Sequence, residues 1–212
     1  MSRIVKKPGL VVILSSPSGT GKTSICHGLM KKNKGLRFSV SATTRPRRGK
    51  ERDGIDYHFV TDKKFDSMVK KKEFAEKANV FGFKYGTPFS EIRRTMAGCE
   101  VLLCDVDVQG GMSLKRNYKE AVSIFVIPPS LTELKRRLYK RRTDSVEQMK
   151  LRLNTAVKEI GYWKKYDYVV VNDDLKKATE EVDKIIATER IKTTRRNERR
   201  YWKSSQARLL GL

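Results

Sequence analysis

Near the start of the chain, Ser16-Pro17-Ser18-Gly19-Thr20-Gly21-Lys22-Thr23 has the make-up of a loop that wraps a polyphosphate. Phosphates are held by closely packed backbone N–H groups, and glycines let the chain approach without Cβ clashes. A helix beginning directly after such a loop adds its positive dipole end and its unpaired N–H groups. Lys22 would then reach the β- and γ-phosphates, and the Thr23 hydroxyl would ligate Mg²⁺. The strict pattern GxxxxGK[ST] has glycine where Ser16 stands, so the first position departs from it. Further on, Asp105 and Asp107 close an apolar run and lie two apart, which sends both side chains to one face of a strand. A carboxylate at such a strand end can hold Mg²⁺ directly or through water.

Arginines supply the complementary charge. The formal net charge is +23, from 47 Lys and Arg against 24 Asp and Glu, which calls for anionic partners. The excess is uneven: residues 45–52 carry +4, 135–142 carry +6 and the tail 190–212 carries +7. Without a phosphate loop, Arg47, Arg48, Lys50 and Arg52 would read as a solvated loop. The tail Arg195-Arg196-Asn197-Glu198-Arg199-Arg200-Tyr201-Trp202-Lys203 mixes arginine with aromatics, as RNA contacts can. A helical extension with a solvated basic face is the plainer reading. Cys26, Cys99 and Cys104 sit among apolar neighbours with no CxxC spacing, which fits reduced, interior thiols and a cytoplasmic setting. The longest apolar run, Leu10 to Leu14, falls far short of the ~20 residues of a membrane span.

These groups need a scaffold. Leu10–Leu14, Val101–Cys104, Ser123–Ile127 and Tyr168–Val171 are short runs rich in Val, Ile and Leu without clean alternation, as expected of parallel strands covered on both faces. Helical spacing fills the intervals: Thr23–Lys32; Leu131, Leu134 and Leu138; Leu153, Val157 and Ile160; and Val182, Ile185, Ile186 and Ile191. Alternating strands and helices predict an α/β fold of three layers around a parallel sheet. Residues 39–90 break the rhythm and predict a small α+β insertion with a strand at Tyr57–Val60. Thr87-Pro88 reads as N-cap and first residue of a helix Phe89–Met96.

The phosphate loop, Ser41-Ala42-Thr43-Thr44-Arg45-Pro46-Arg47-Arg48-Gly49-Lys50-Glu51, Gly54-Ile55-Asp56-Tyr57, Tyr85-Gly86, Asp105-Val106-Asp107-Val108-Gln109-Gly110, Pro128-Pro129-Ser130 and Val171-Asn172-Asp173-Asp174 occur in an order that resembles the guanylate kinases. The likeness runs from about residue 9 to 192. It implies a P-loop core over 1–38, 91–134 and 156–192, a GMP-binding insertion over 39–90, a lid over 135–155 and a basic extension over 193–212. It also implies transfer of the γ-phosphoryl of ATP to GMP or dGMP with Mg²⁺.

On the acceptor side, the resemblance puts the GMP phosphate against Arg45 and Arg48, with Tyr57 and Tyr85 donating and Glu51 and Thr87 in the same site. Arginine suits the task because its planar fork donates two parallel bonds. Glu76 falls on the guanine-reading position, Ser41 and Asp107 on further base contacts, and Asp105 beside them. From the residues alone, Glu76 would be one more surface acid. On the donor side, Ser16 to Thr23 and Asn172 hold ATP, with Thr23 and Asp105 toward Mg²⁺. Arg137, Arg141 and Arg152 fall on lid positions that contact phosphate, and Arg142 stands where the family commonly has glycine. The charge-stabilising set is therefore Lys22, Arg45, Arg137, Arg141 and Arg152. The rival readings are a non-catalytic binding module of the same fold, a nucleic-acid-binding protein, and a P-loop kinase for another nucleotide.

Overall fold

The computed structural model describes residues 9–98, 100–140 and 146–192. The expectations for Cys99, Arg141, Arg142 and the tail 193–212 lie outside the described residues. Five parallel strands form the main sheet: β1 (Leu10–Ser15), β2 (Leu36–Phe38), β7 (Val101–Val106), β8 (Val122–Ile127) and β9 (Tyr168–Val171), in the order β2-β7-β1-β8-β9. β1 is buried along its whole length because both faces are covered. Leu10, Val12 and Leu14 join the cluster under helices α1 (Lys22–Lys32) and α7 (Leu175–Glu189), through Ile25, Leu29, Val182 and Ile186. Val11 and Ile13 face the opposite cluster with Ile92 of α3 (Phe89–Gly98) and Leu114 of α4 (Val108–Asn117). An unbroken apolar run is what two apolar faces require.

Residues 42–88 build a second, four-stranded sheet from β3 (Ala42–Thr43), β4 (His58–Phe59), β5 (Phe74–Val80) and β6 (Phe83–Pro88), ordered β4-β3-β6-β5. Helix α2 (Asp62–Lys70) is capped by the Thr61 side chain and packs on this sheet by stacking Phe65 on Phe74, centroids 4.6 Å apart. Helices α5 (Leu131–Lys140) and α6 (Val146–Ile160) share a small core of Leu134, Leu138 and Ala156, flanked by Leu153 and Ile160. No helix among the described residues is long and apolar enough to cross a membrane.

Three local expectations are corrected. Thr87 and Pro88 belong to β6, not to a helix start; Thr87 pairs with Glu76 of β5, so its hydroxyl is taken by a tertiary partner. The strand expected over Tyr57–Val60 shortens to His58–Phe59. Ile191 lies beyond the end of α7, in a turn where its N–H donates to Thr188.

Candidate active site

The loop after β1 wraps the start of α1. Gly19 and Gly21 have φ of +92° and +91°, the left-handed region that side chains resist. Gly21 has a second reason to lack a side chain, since a β-carbon there would sit 2.4 Å from Asn172 Nδ2. Ser16 does not take a positive φ, so the departure from glycine costs no backbone strain. Its hydroxyl donates to the Pro17 carbonyl at 3.0 Å. The parallel register sets Leu14 beside Asp105, which brings the β7 carboxylate to the lip of the loop. Lys22 Nζ contacts Asp105 Oδ1 and the Val106 carbonyl, each at 2.5 Å, and the Thr23 hydroxyl donates to Asp105 Oδ2 at 2.8 Å. Thr23 and Asp105 are hard oxygen donors of the kind Mg²⁺ accepts alongside waters and phosphates. No three His, Cys, Asp or Glu side chains among the described residues cluster as a metal cage, so a Mg²⁺ ion here would take its remaining ligands from water and phosphate.

Across a cleft of about 240 Å³ from this loop stands the second sheet. Glu76, only 5 % exposed, uses one oxygen fully: Oε1 accepts from the Thr87 N–H at 3.1 Å and its hydroxyl at 2.8 Å. Oε2 has no hydrogen-bond partner among the described residues. It approaches the start of α4 so closely that a β-carbon on Gly110 would lie 2.8 Å away. Burial first, and the nearby Asp107 charge after it, push this carboxyl up to about 7 against the pull of the Thr87 bonds. Ser41 extends the chain of hydroxyls, 3.4 Å from Thr87 Oγ1. Tyr57 and Tyr85 meet edge to face at 6.0 Å and line the cleft with Arg48.

Several expected contact residues stand behind the cleft rather than in it. Arg45 is 5 % exposed and is held by two parallel bonds to Glu51, at 2.8 and 2.9 Å, with its guanidinium 5.3 Å from the Tyr57 ring centroid. Glu51 also accepts from the Arg48 N–H at 2.8 Å, so it fixes the loop that presents Arg48 instead of facing the cleft. Thr87 orients Glu76. Asn172, 4 % exposed, donates to the Thr20 carbonyl at 2.6 Å and so braces the phosphate loop. Arg137 reaches the same carbonyl at 3.3 Å and pairs with Glu133 at 2.6 Å, outside the cleft lining. Asp107 does line the cleft, but its oxygens cap α4 through the N–H groups of Gln109 and Gly110.

Helix α6 closes the remaining side with Arg152 and Glu159. Glu159 was not anticipated. Burial, then Asp107, push its carboxyl up to about 7, with Lys22 opposing. Its seven-residue spacing from Arg152, two helical turns, was the available signal. Val80, Phe81 and Phe83 add an apolar edge that a motif search does not find.

The guanylate kinase family model matches residues 9–189. A guanylate kinase of Myxococcus xanthus is 45% identical over 192 residues, covering 90% of this chain and 92% of the relative. That of Rickettsia typhi is 46% identical over 187 residues, covering 88% and 95%. The crystal structure of guanylate kinase from Anaplasma phagocytophilum superposes with a TM-score of 0.78 at 33% identity, covering 92% of this chain and 93% of that one. With the loop, the opposing carboxylate and the near full-length similarity in agreement, the chain belongs to the guanylate kinase family.

Proposed function

We propose that this chain transfers the γ-phosphoryl group of ATP to GMP or dGMP, giving ADP and GDP or dGDP, and so returns guanine monophosphates to the phosphorylated pool. The observation that carries the choice of acceptor is the buried Glu76 carboxylate, one oxygen satisfied by Thr87 and the other without a partner. Guanine offers N1–H and an exocyclic amine side by side, and both can donate to such a carboxylate. Adenine has no donor at N1 and no amine at C2, and would leave the acid badly paired. Sites that depend on such pairing discriminate strongly.

Transfer between two phosphates needs alignment, charge neutralisation and exclusion of water more than covalent help. The acceptor is already an anionic oxygen, so no Ser, Cys or His nucleophile and no strong general base is assigned. Residues 16–23 cradle the ATP phosphates through backbone N–H groups, with Lys22 on the β- and γ-phosphates. Arg48, Tyr57 and Tyr85 hold the GMP phosphate, and Arg45 and Glu51 keep that loop rigid behind them. Arg152 meets the charge on the transferring group, while the same role for Arg137, outside the cleft lining, and for Arg141, outside the described residues, rests on the family resemblance alone. Thr23 and Asp105 would hold Mg²⁺, which when bound would help neutralise the phosphate charge. The ordered Lys22–Asp105–Thr23 contacts speak against a binding-only module.

The direct test is ADP formation with GMP, dGMP, AMP, UMP and CMP offered separately. GMP and dGMP should be preferred, and Lys22→Ala should lose activity by several orders of magnitude. Equal use of AMP would refute the acceptor assignment.

A further inference from the structure

The hairpin between β5 and β6 turns through Phe81 and Gly82, with φ of +50° and +82°. Two successive left-handed residues make the primed turn that suits a two-residue hairpin, a geometry that favours Asn-Gly and resists a bulky first residue. Among the described residues, only Phe81 and Lys72 combine a side chain with positive φ. Burial compensates this only in part, since Phe81 is 43 % exposed. The ring instead meets Arg152 of α6, whose guanidinium carbon lies 5.3 Å from its centroid. Both residues line the cleft, one from the acceptor-side sheet and one from the helix that closes it. A strained aromatic at a hairpin tip, in contact with a cation from another element, marks a position kept for what the ring touches.

We propose that Phe81 is a positioning residue for the transfer step. By packing its ring against the guanidinium it limits where Arg152 can place its N–H donors when the transferring phosphoryl group is bound. A guanidinium can do both at once because its faces stack while its donors lie in the plane. The contact also makes the arginine's placement depend on the acceptor sheet being closed on α6, so the charge-stabilising group is set when the acceptor side is in place. This inference rests on Arg152 acting on the phosphates, as read above.

The test compares Phe81→Asn, Phe81→Tyr, Arg152→Ala and the double variant Phe81→Asn/Arg152→Ala for kcat, KM and thermal midpoint. Asparagine suits the turn better than phenylalanine, so Phe81→Asn should hold or raise the thermal midpoint. It should nevertheless lower kcat about tenfold with KM for ATP changed about twofold at most. Phe81→Tyr, which keeps the ring, should stay within about twofold of wild type. The double variant should be no slower than Arg152→Ala alone. Wild-type kcat in Phe81→Asn, a parallel fall of kcat and thermal midpoint, or multiplicative losses in the double variant would each overturn the proposal. Wild-type kcat in Arg152→Ala would instead overturn the role given to the arginine itself.

Discussion

Replacing Glu76 by glutamine probes the acceptor choice most sharply, because shape is kept and only charge and one acceptor are lost. The carboxyl is raised from 4.5 to about 7 in the fold, which corresponds to about 3 kcal/mol of disfavoured ionisation. Guanine offsets that cost with two bonds to a charged acceptor, each contributing roughly 1.5–3 kcal/mol. Glutamine has one oxygen and one amine. The Thr87 N–H can only donate, so if the oxygen stays on Thr87 the amine confronts guanine's donors, and if it flips the amine confronts Thr87. Either way a donor faces a donor in a buried place. Glu76→Gln should therefore lower kcat/KM for GMP by about 10²- to 10³-fold, or ~3–4 kcal/mol, while leaving the low rate with AMP nearly unchanged. Coupled-enzyme assays of ADP release with both acceptors would read this, with thermal melting as the folding control. An unchanged GMP-to-AMP ratio in a folded variant would refute the pairing argument.

Protonation of the same residue gives a second prediction. A raised folded-state pKa means that this group's favourable contribution to ligand-free stability is complete below 4.5 and is lost as pH rises through about 7. Melting measured from pH 4.5 to 8 should show that slope flattened in Glu76→Gln, and an equal slope in both proteins would count against it. Because guanine's donors favour the ionised form, GMP binding at pH 7 should release about half a proton more from wild type than from Glu76→Gln. Calorimetry in buffers of differing ionisation enthalpy would measure that difference. Gly21→Ala would force a side chain into φ +91° and against Asn172, so stability should fall by about 2–3 kcal/mol and the ATP KM should rise; a wild-type melting curve would show that the brace is dispensable. Asp105→Asn weakens the oxygen pair with Thr23, and the Mg²⁺ concentration for half-maximal rate should rise at least about tenfold. An unchanged Mg²⁺ titration would remove Asp105 from the metal site.

The phosphate loop, the Asp105 strand end and the parallel core were legible in the residues because each is a local pattern. Glycines, a lysine and an apolar run set the loop geometry within one strand-turn-helix, and two covered faces write continuous hydrophobicity into Leu10–Leu14 of β1. The resemblance located Arg48, Tyr57, Tyr85 and Glu76 on the acceptor side. It also named Arg45, Glu51, Thr87 and Asn172, which lie outside the cleft lining, and that placement is a matter of distances across the fold. Arg45 and Glu51 spend their charge on each other, and Asn172 spends its amide on Thr20.

Glu76 is the clearest division between the two levels. As a residue type in a polar stretch it reads as surface, since a carboxylate gains most from water. The register of β5 against β6 buries it and sets Thr87 opposite, and α4 closes over the second oxygen. The Phe81–Arg152 contact is likewise invisible along the chain, because it joins elements far apart in sequence. The sequence by itself determined the phosphate-loop pattern, since its glycines, lysine and threonine lie in one contiguous segment. Only the tertiary structure decided that the Glu76 carboxylate is buried across the cleft with an unmatched oxygen, since desolvation and hydrogen-bond partners are properties of a place rather than of a residue.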